Sequence, residues 1–282
     1  MRDTNSKIQT GALTFLALTG SVSCSEQICR LPGKWLVLLI ALIGAGVVYG
    51  FVAYLLRKKR IPANLRWGET PEWTLWRIVL AAVLFCLSLL ILFSTAGMWF
   101  NWVLVEWPLW LILVLLITTV FFMLTQGGKA ICRGCVLGAA IFFVVLIADT
   151  LFLIPCLKNG AMPQVASTFP WQDALLLFLL LAAPAPILLW YGKPGRQGTV
   201  PIAIGFFLGM ATLVWQALRD GIVLGKLTTV DQWPILRTLS FASAGAGFER
   251  VESWGVMALT GGALFAVAIF LHGAKEMLMK KI

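Results

Sequence analysis

Phe248-Glu249-Arg250-Val251-Glu252-Ser253 places three charges within four residues at the mouth of a long apolar segment, Trp254 to Leu271. A charged side chain at the centre of a bilayer costs roughly 2.5–3.5 kcal/mol on insertion scales, so such groups gather in a protein interior or a wet cavity. On a helix Glu249, Glu252 and Ser253 share one face, because neighbours recur at three and four positions. A polar stripe therefore opens a segment that is otherwise fit for lipid.

Composition sets the class. The chain has 282 residues, of which 60% are apolar and 12% charged, against about 25% charged in a soluble domain. Apolar runs of about 20 residues read as membrane spans. Eight are expected, over Ile8–Ser25, Lys34–Leu56, Trp73–Phe100, Trp107–Thr125, Ala130–Pro155, Phe169–Tyr191, Val200–Val223 and Val251–His272. They leave room for a single integral membrane domain, with a short amphipathic helix expected near Trp233–Leu239 in the outer loop 227–247.

The net charge of +10 follows from topology and not from a nucleic-acid partner. With the N-terminus in the cytoplasm, Arg30, Lys34, Lys158, Arg219, Lys226, Arg237 and Arg250 fall outside, and the other 15 of the 22 Lys and Arg fall inside. That asymmetry satisfies the positive-inside rule and places both termini in the cytoplasm. Trp73, Trp76, Trp99, Trp102, Trp107 and Trp110 stand at span ends, as an interfacial aromatic belt does. The first span also fits a cleavable signal peptide, with Arg2 and Lys7 before Ala12–Leu18 and Ser21-Val22-Ser23 before Cys24.

Two spans carry interruptions. Gly20 with Ser21-Val22-Ser23 is expected to end the first span early, and Pro170 and Pro184-Ala185-Pro186 to break the sixth. These spans stand five apart and enter from opposite sides, which is the sequence pointer to an inverted-repeat transporter fold. Gly44, Gly46 and Gly50 give the second span a small-residue face.

Asp231–Ala274 resembles the corresponding region of the spore germination permease family, the GerAB-type B subunits of nutrient germinant receptors. The likeness rests on Trp233-Pro234-Ile235-Leu236-Arg237 and Phe248-Glu249-Arg250-Val251-Glu252, with a second patch at Ile154-Pro155-Cys156-Leu157-Lys158-Asn159-Gly160, Pro163 and Phe169-Pro170. It covers roughly Ala148 to Ala274. It implies a LeuT-like inverted repeat of the amino-acid/polyamine permease superfamily, short of that family's last two helices. It further implies a subunit of the spore inner membrane that senses a small nutrient, such as an amino acid, together with A-type and C-type partner subunits. A secondary amino-acid transporter of the same fold and a non-binding scaffold subunit are the alternatives.

On this reading the ligand lies between broken helices one and six and helices three and eight. The candidate contacts are Thr19, Gly20, Ser21, Phe169, Gln172, Asp173, Glu249 and Glu252. Glu249 with Arg250 equally forms a structural ion pair, and Asp173 equally serves as a first-turn acid, since helix N-termini favour carboxylates. Asp149 is expected to snorkel or to pair with Lys158. Cys132-Arg133-Gly134-Cys135 lacks the second pair that zinc requires, so packed thiols are expected. Cys24 and Cys29 have the option of pairing outside the membrane. No catalytic constellation, cofactor motif or metal set is found in the sequence, and no enzymatic activity is expected.

Overall fold

The computed structural model describes residues 2–23, 35–57, 71–104, 106–157, 171–188, 196–224, 234–240 and 251–279, and every regular element among them is α-helical. In chain order these are α1 (Arg2–Ser23), α2 (Trp35–Arg57), α3 (Pro71–Trp102), α4 (Leu109–Thr125), α5 (Gly128–Leu157), α6 (Trp171–Ala182), α7 (Arg196–Leu224), α8 (Pro234–Ser240) and α9 (Val251–Met279). Helices α1 to α7 and α9 fall in order on the eight expected segments. The short α8 falls within the outer loop.

Five of them, α2, α3, α5, α7 and α9, are long and apolar enough to cross a membrane. Helix α4 is apolar but has 17 residues. Helix α1 opens on a polar run, and α6 ends after 12 residues. Large apolar side chains also point outward, among them Val47, Phe51, Phe121, Phe122 and Val144. A helix that is apolar inside and outside alike suits lipid as its solvent. The chain is a helical membrane bundle.

The centre of the bundle is built from the two ends of the chain. Helix α1 packs on α5, α6, α7 and α9, while α9 packs on α1, α3, α4, α5 and α8. Leu13 through Thr19 are buried without a break. Glycine makes the two closest approaches possible. A Cβ on Gly205 of α7 would strike the Gly11 carbonyl oxygen and lie 2.9 Å from Thr14, and a Cβ on Gly20 would strike the Gly262 carbonyl of α9. These are crossings of the small-residue kind, in which bare backbones touch.

Gly20 therefore has a different role from the one expected of it. Helix α1 runs unbroken from Arg2 to Ser23, so the first span is not interrupted. Helix packing, not a break, accounts for this glycine. In the sixth span Pro170 falls outside the described residues, while the break expected at Pro184 and Pro186 is present. Pro184 and Pro186 have no N–H to donate, and beyond Ala182 the chain turns tightly, with Ala185 N donating to Ala182 O (3.0 Å) and Ile187 N to Pro184 O (3.1 Å). In the second span, a Cβ on Gly44 would crowd Phe178 of α6 at 2.9 Å and one on Gly46 would meet Phe206 of α7 at 3.3 Å, while Gly50 faces open space.

Side-chain bonds fix relative directions. The buried Arg77 near the start of α3 donates through Nε to the Met277 carbonyl at 3.0 Å, near the end of α9. A cation there also complements the helix dipole. Near the other end of α3, Trp99 Nε1 donates to Thr260 Oγ1 of α9 at 2.7 Å. Helices α3 and α9 are thus antiparallel. Trp215 Nε1 donates to Thr150 Oγ1 at 3.1 Å, late in both α7 and α5, which makes that pair parallel. Two buried thiols, Cys132 and Cys135, sit in the first turns of α5.

The crossing at Gly20 predicts an asymmetry between glycines. Gly262→Leu should lower stability by about 1–3 kcal/mol, the usual cost of overpacking, whereas Gly50→Ala should change it by no more than about 0.5 kcal/mol. Thermal unfolding of the detergent-solubilised variants, followed by circular dichroism, compares them.

A candidate charged centre between α5, α7 and α9

Helix α7 carries two adjacent charges, Arg219 and Asp220, deep in the bundle. Neighbouring helical residues diverge around the axis, but the long arginine side chain folds back. Its Nε and Nη2 both donate to Asp220 Oδ1, each at 3.1 Å. Arg219 is 1% exposed and Asp220 5%. Two charged groups withdrawn from solvent this completely are stable only when they compensate each other. The buried Thr238 of α8 brings its hydroxyl beside the Asp220 carboxylate, outside good hydrogen-bonding geometry.

Compensation is incomplete. The Nη1 of Arg219 is buried and, among the described residues, has no hydrogen-bond partner. Asp149 of α5 is 6% exposed and, among the described residues, makes no hydrogen bond or ion pair, although it lies within the electrostatic reach of Arg219. Between them is a cavity of about 10 Å³, lined by Asp149, Gln216, Arg219 and the apolar surfaces of α5 and α9 at Phe142, Gly255 and Leu259. That is the room of about one water molecule. The centre thus offers an unpaired carboxylate, an unpaired guanidinium N–H and the Gln216 amide around one small space.

Arg219, counted from the sequence among the outside charges, is therefore not at the outer surface. It lies inside the bundle, where Asp220 is its counter-ion. Asp149 does not snorkel either, since it turns inward to face Arg219. The sequence reading passed over Asp220 and Gln216 altogether. The available signal was an Arg-Asp pair within the apolar run Val200–Val223, where lipid tolerates neither.

The residues singled out from the sequence are placed otherwise. Thr19 is sealed in the core, its hydroxyl donating to the Phe15 carbonyl at 2.9 Å. Gly20 is packed on Gly262. Ser21 lies in the last turn of α1, and Asp173 and Glu252 lie in the first turns of α6 and α9. Gln172 is exposed at the start of α6, an environment unlike that of Thr19. Phe169, Glu249 and Arg250 fall outside the described residues, as do Lys158, Cys24 and Cys29. Among the described residues no group of three or more His, Cys, Asp or Glu is placed to hold a metal ion.

The two aspartates should respond differently to neutralisation. Asp220→Asn strips Arg219 of its counter-ion and should cost about 3–5 kcal/mol, as breaking buried pairs does. Asp149→Asn removes a carboxylate that has no partner among the described residues and should leave stability within about 1 kcal/mol of the parent or raise it. Unfolding in detergent by heat or denaturant reads both changes. No protein-family model matches the chain, and no curated protein matches it.

Proposed function

We propose that this protein is a ligand-responsive membrane subunit of the germinant-receptor B type. In this reading it senses a small zwitterionic nutrient such as an amino acid in the spore inner membrane, with both termini cytoplasmic and with A-type and C-type subunits as partners. The observation that carries the ligand class is the charged centre. An α-amino acid presents an ammonium and a carboxylate a few bonds apart. Asp149 complements the first, and the free Nη1 of Arg219, backed by Gln216, complements the second. The cavity holds about one water, so an amino acid enters only if α5, α7 and α9 separate. Binding then favours the opened arrangement over the closed one, which is how a ligand biases a bundle and passes a signal to its neighbours.

The helix contacts support a LeuT-like inverted repeat of eight crossings. Such a repeat relates each crossing to the one five later, so a contact between crossings one and seven demands one between six and two. Both are made, by α1 with α7 and by α6 with α2. The contacts that such symmetry maps onto themselves, α1 with α6, α2 with α7 and α3 with α9, are also made. The continuous α1 departs from the broken first helix that the reading expected, and the charged centre lies on the fifth, seventh and eighth crossings in place of the first and sixth.

A second reading, a secondary amino-acid transporter, is favoured by the balance of charge. Asp149, Arg219 and Asp220 sum to one negative charge when all are ionised, which suits a site that also takes a coupling cation.

Amino acids screened by thermal shift against the purified protein should yield at least one stabilising ligand. Its affinity should fall at least about tenfold in Asp149→Asn, because a charge-assisted contact is lost. Spores carrying that variant should need correspondingly more of the same nutrient to germinate. An Asp149→Asn protein that binds and germinates as the parent does would remove the charged centre from the mechanism. Uptake of labelled amino acid by vesicles containing this chain alone would favour the transporter reading.

A further inference from the structure

A second cavity lies at the opposite end of the bundle from the charged centre and is unrelated to it in chemistry. It is a cleft of about 630 Å³ between the first halves of α1, α5 and α7. Its walls are apolar except at one place. Ala140 and Phe143 line it from α5, Pro201 and Leu208 from α7, and Phe15 from α1, while Lys7 stands at its mouth. The inner end is walled by Phe15 stacked on Phe143, with ring centroids 4.5 Å apart.

We propose that this cleft is a binding site for one anionic phospholipid, with an acyl chain in the cleft and the headgroup phosphate on Lys7. Three observations select that occupant. First, length: from Lys7 to Phe15 the helix rises about 12 Å, close to the roughly 15 Å depth of one leaflet's hydrocarbon. Second, polarity: the cleft is apolar throughout, and its one charge sits at the end where a headgroup would lie. Third, sign: Lys7 makes no ion pair among the described residues, and Arg133 stands exposed near the same end, on the α5 face that also carries Val136 and Ala140. Basic residues between membrane helices at headgroup level are a recurrent mode of anionic lipid recognition. The lipid would wedge α5 and α7 apart over α1, at the end opposite the Trp215–Thr150 bond that joins them.

Native mass spectrometry of the detergent-purified protein titrated with phosphatidylglycerol or phosphatidylcholine tests this. The parent should retain one phosphatidylglycerol, with about fivefold preference over phosphatidylcholine, the usual effect of one basic residue at the membrane surface. Ala140→Trp fills the cleft from an exposed position and should abolish retention of either lipid, while its unperturbed circular dichroism melt shows that the fold is intact. Lys7→Gln should keep the chain bound but lose the preference. Absence of a retained lipid in the parent, full retention by Ala140→Trp, or an undiminished preference in Lys7→Gln would each overturn the proposal. None of these readouts depends on amino-acid binding.

Discussion

The structure depends on the passage of α1 between α7 and α9. On one side Gly205 lets α7 come down onto the backbone at Gly11, and on the other Gly262 receives Gly20. A membrane bundle has no hydrophobic force to gather its helices, because lipid is as apolar as leucine, so close backbone contact must do it. With α1 held on both sides, α9 is positioned to receive α3 along its length. The Arg77–Met277 and Trp99–Thr260 bonds then fix that pair near both ends. The remaining helices are arranged around this centre, with apolar side chains turned to lipid.

Within so apolar a frame, Arg219 and Asp220 represent a sizeable electrostatic commitment. Each is tolerable only because of the other, and the pair in turn makes Asp149 consequential. A lone carboxylate facing a partly satisfied guanidinium across the room of one water is neither a closed ion network nor an open site. It is a polar centre with complementary groups still unused, enclosed by Gly255 and Leu259 of the same helix that holds α1. The part that fixes the fold and the polar centre therefore share α9.

Much of this was legible in the sequence. Helix positions followed from apolar run lengths, since hydrocarbon thickness sets them. The break after Ala182 followed from Pro184 and Pro186, because a missing N–H acts locally whatever surrounds it. Gly20 was misread because glycine marks both helix ends and helix crossings, and only the partner backbone at Gly262 decides between them. The charged centre was harder. Adjacent residues on a helix do not ordinarily pair, so Arg219 was counted only as an outside charge and Asp220 went unremarked. Asp149 is 70 residues from its guanidinium neighbour. No periodicity within either helix could bring them together, since that proximity comes from how α5 and α7 lie against each other.

The position of α1 also governs the order in which the molecule can be built. Gly20 and Gly262 are separated by about 240 residues. At synthesis rates of about 5–20 residues per second, roughly 12–48 s pass between the emergence of one and of the other. For that interval the Gly20 face of α1 waits in or at the membrane, because its partner surface on α9 does not yet exist. Assembly of this centre thus waits until α9 has been made and meets α1.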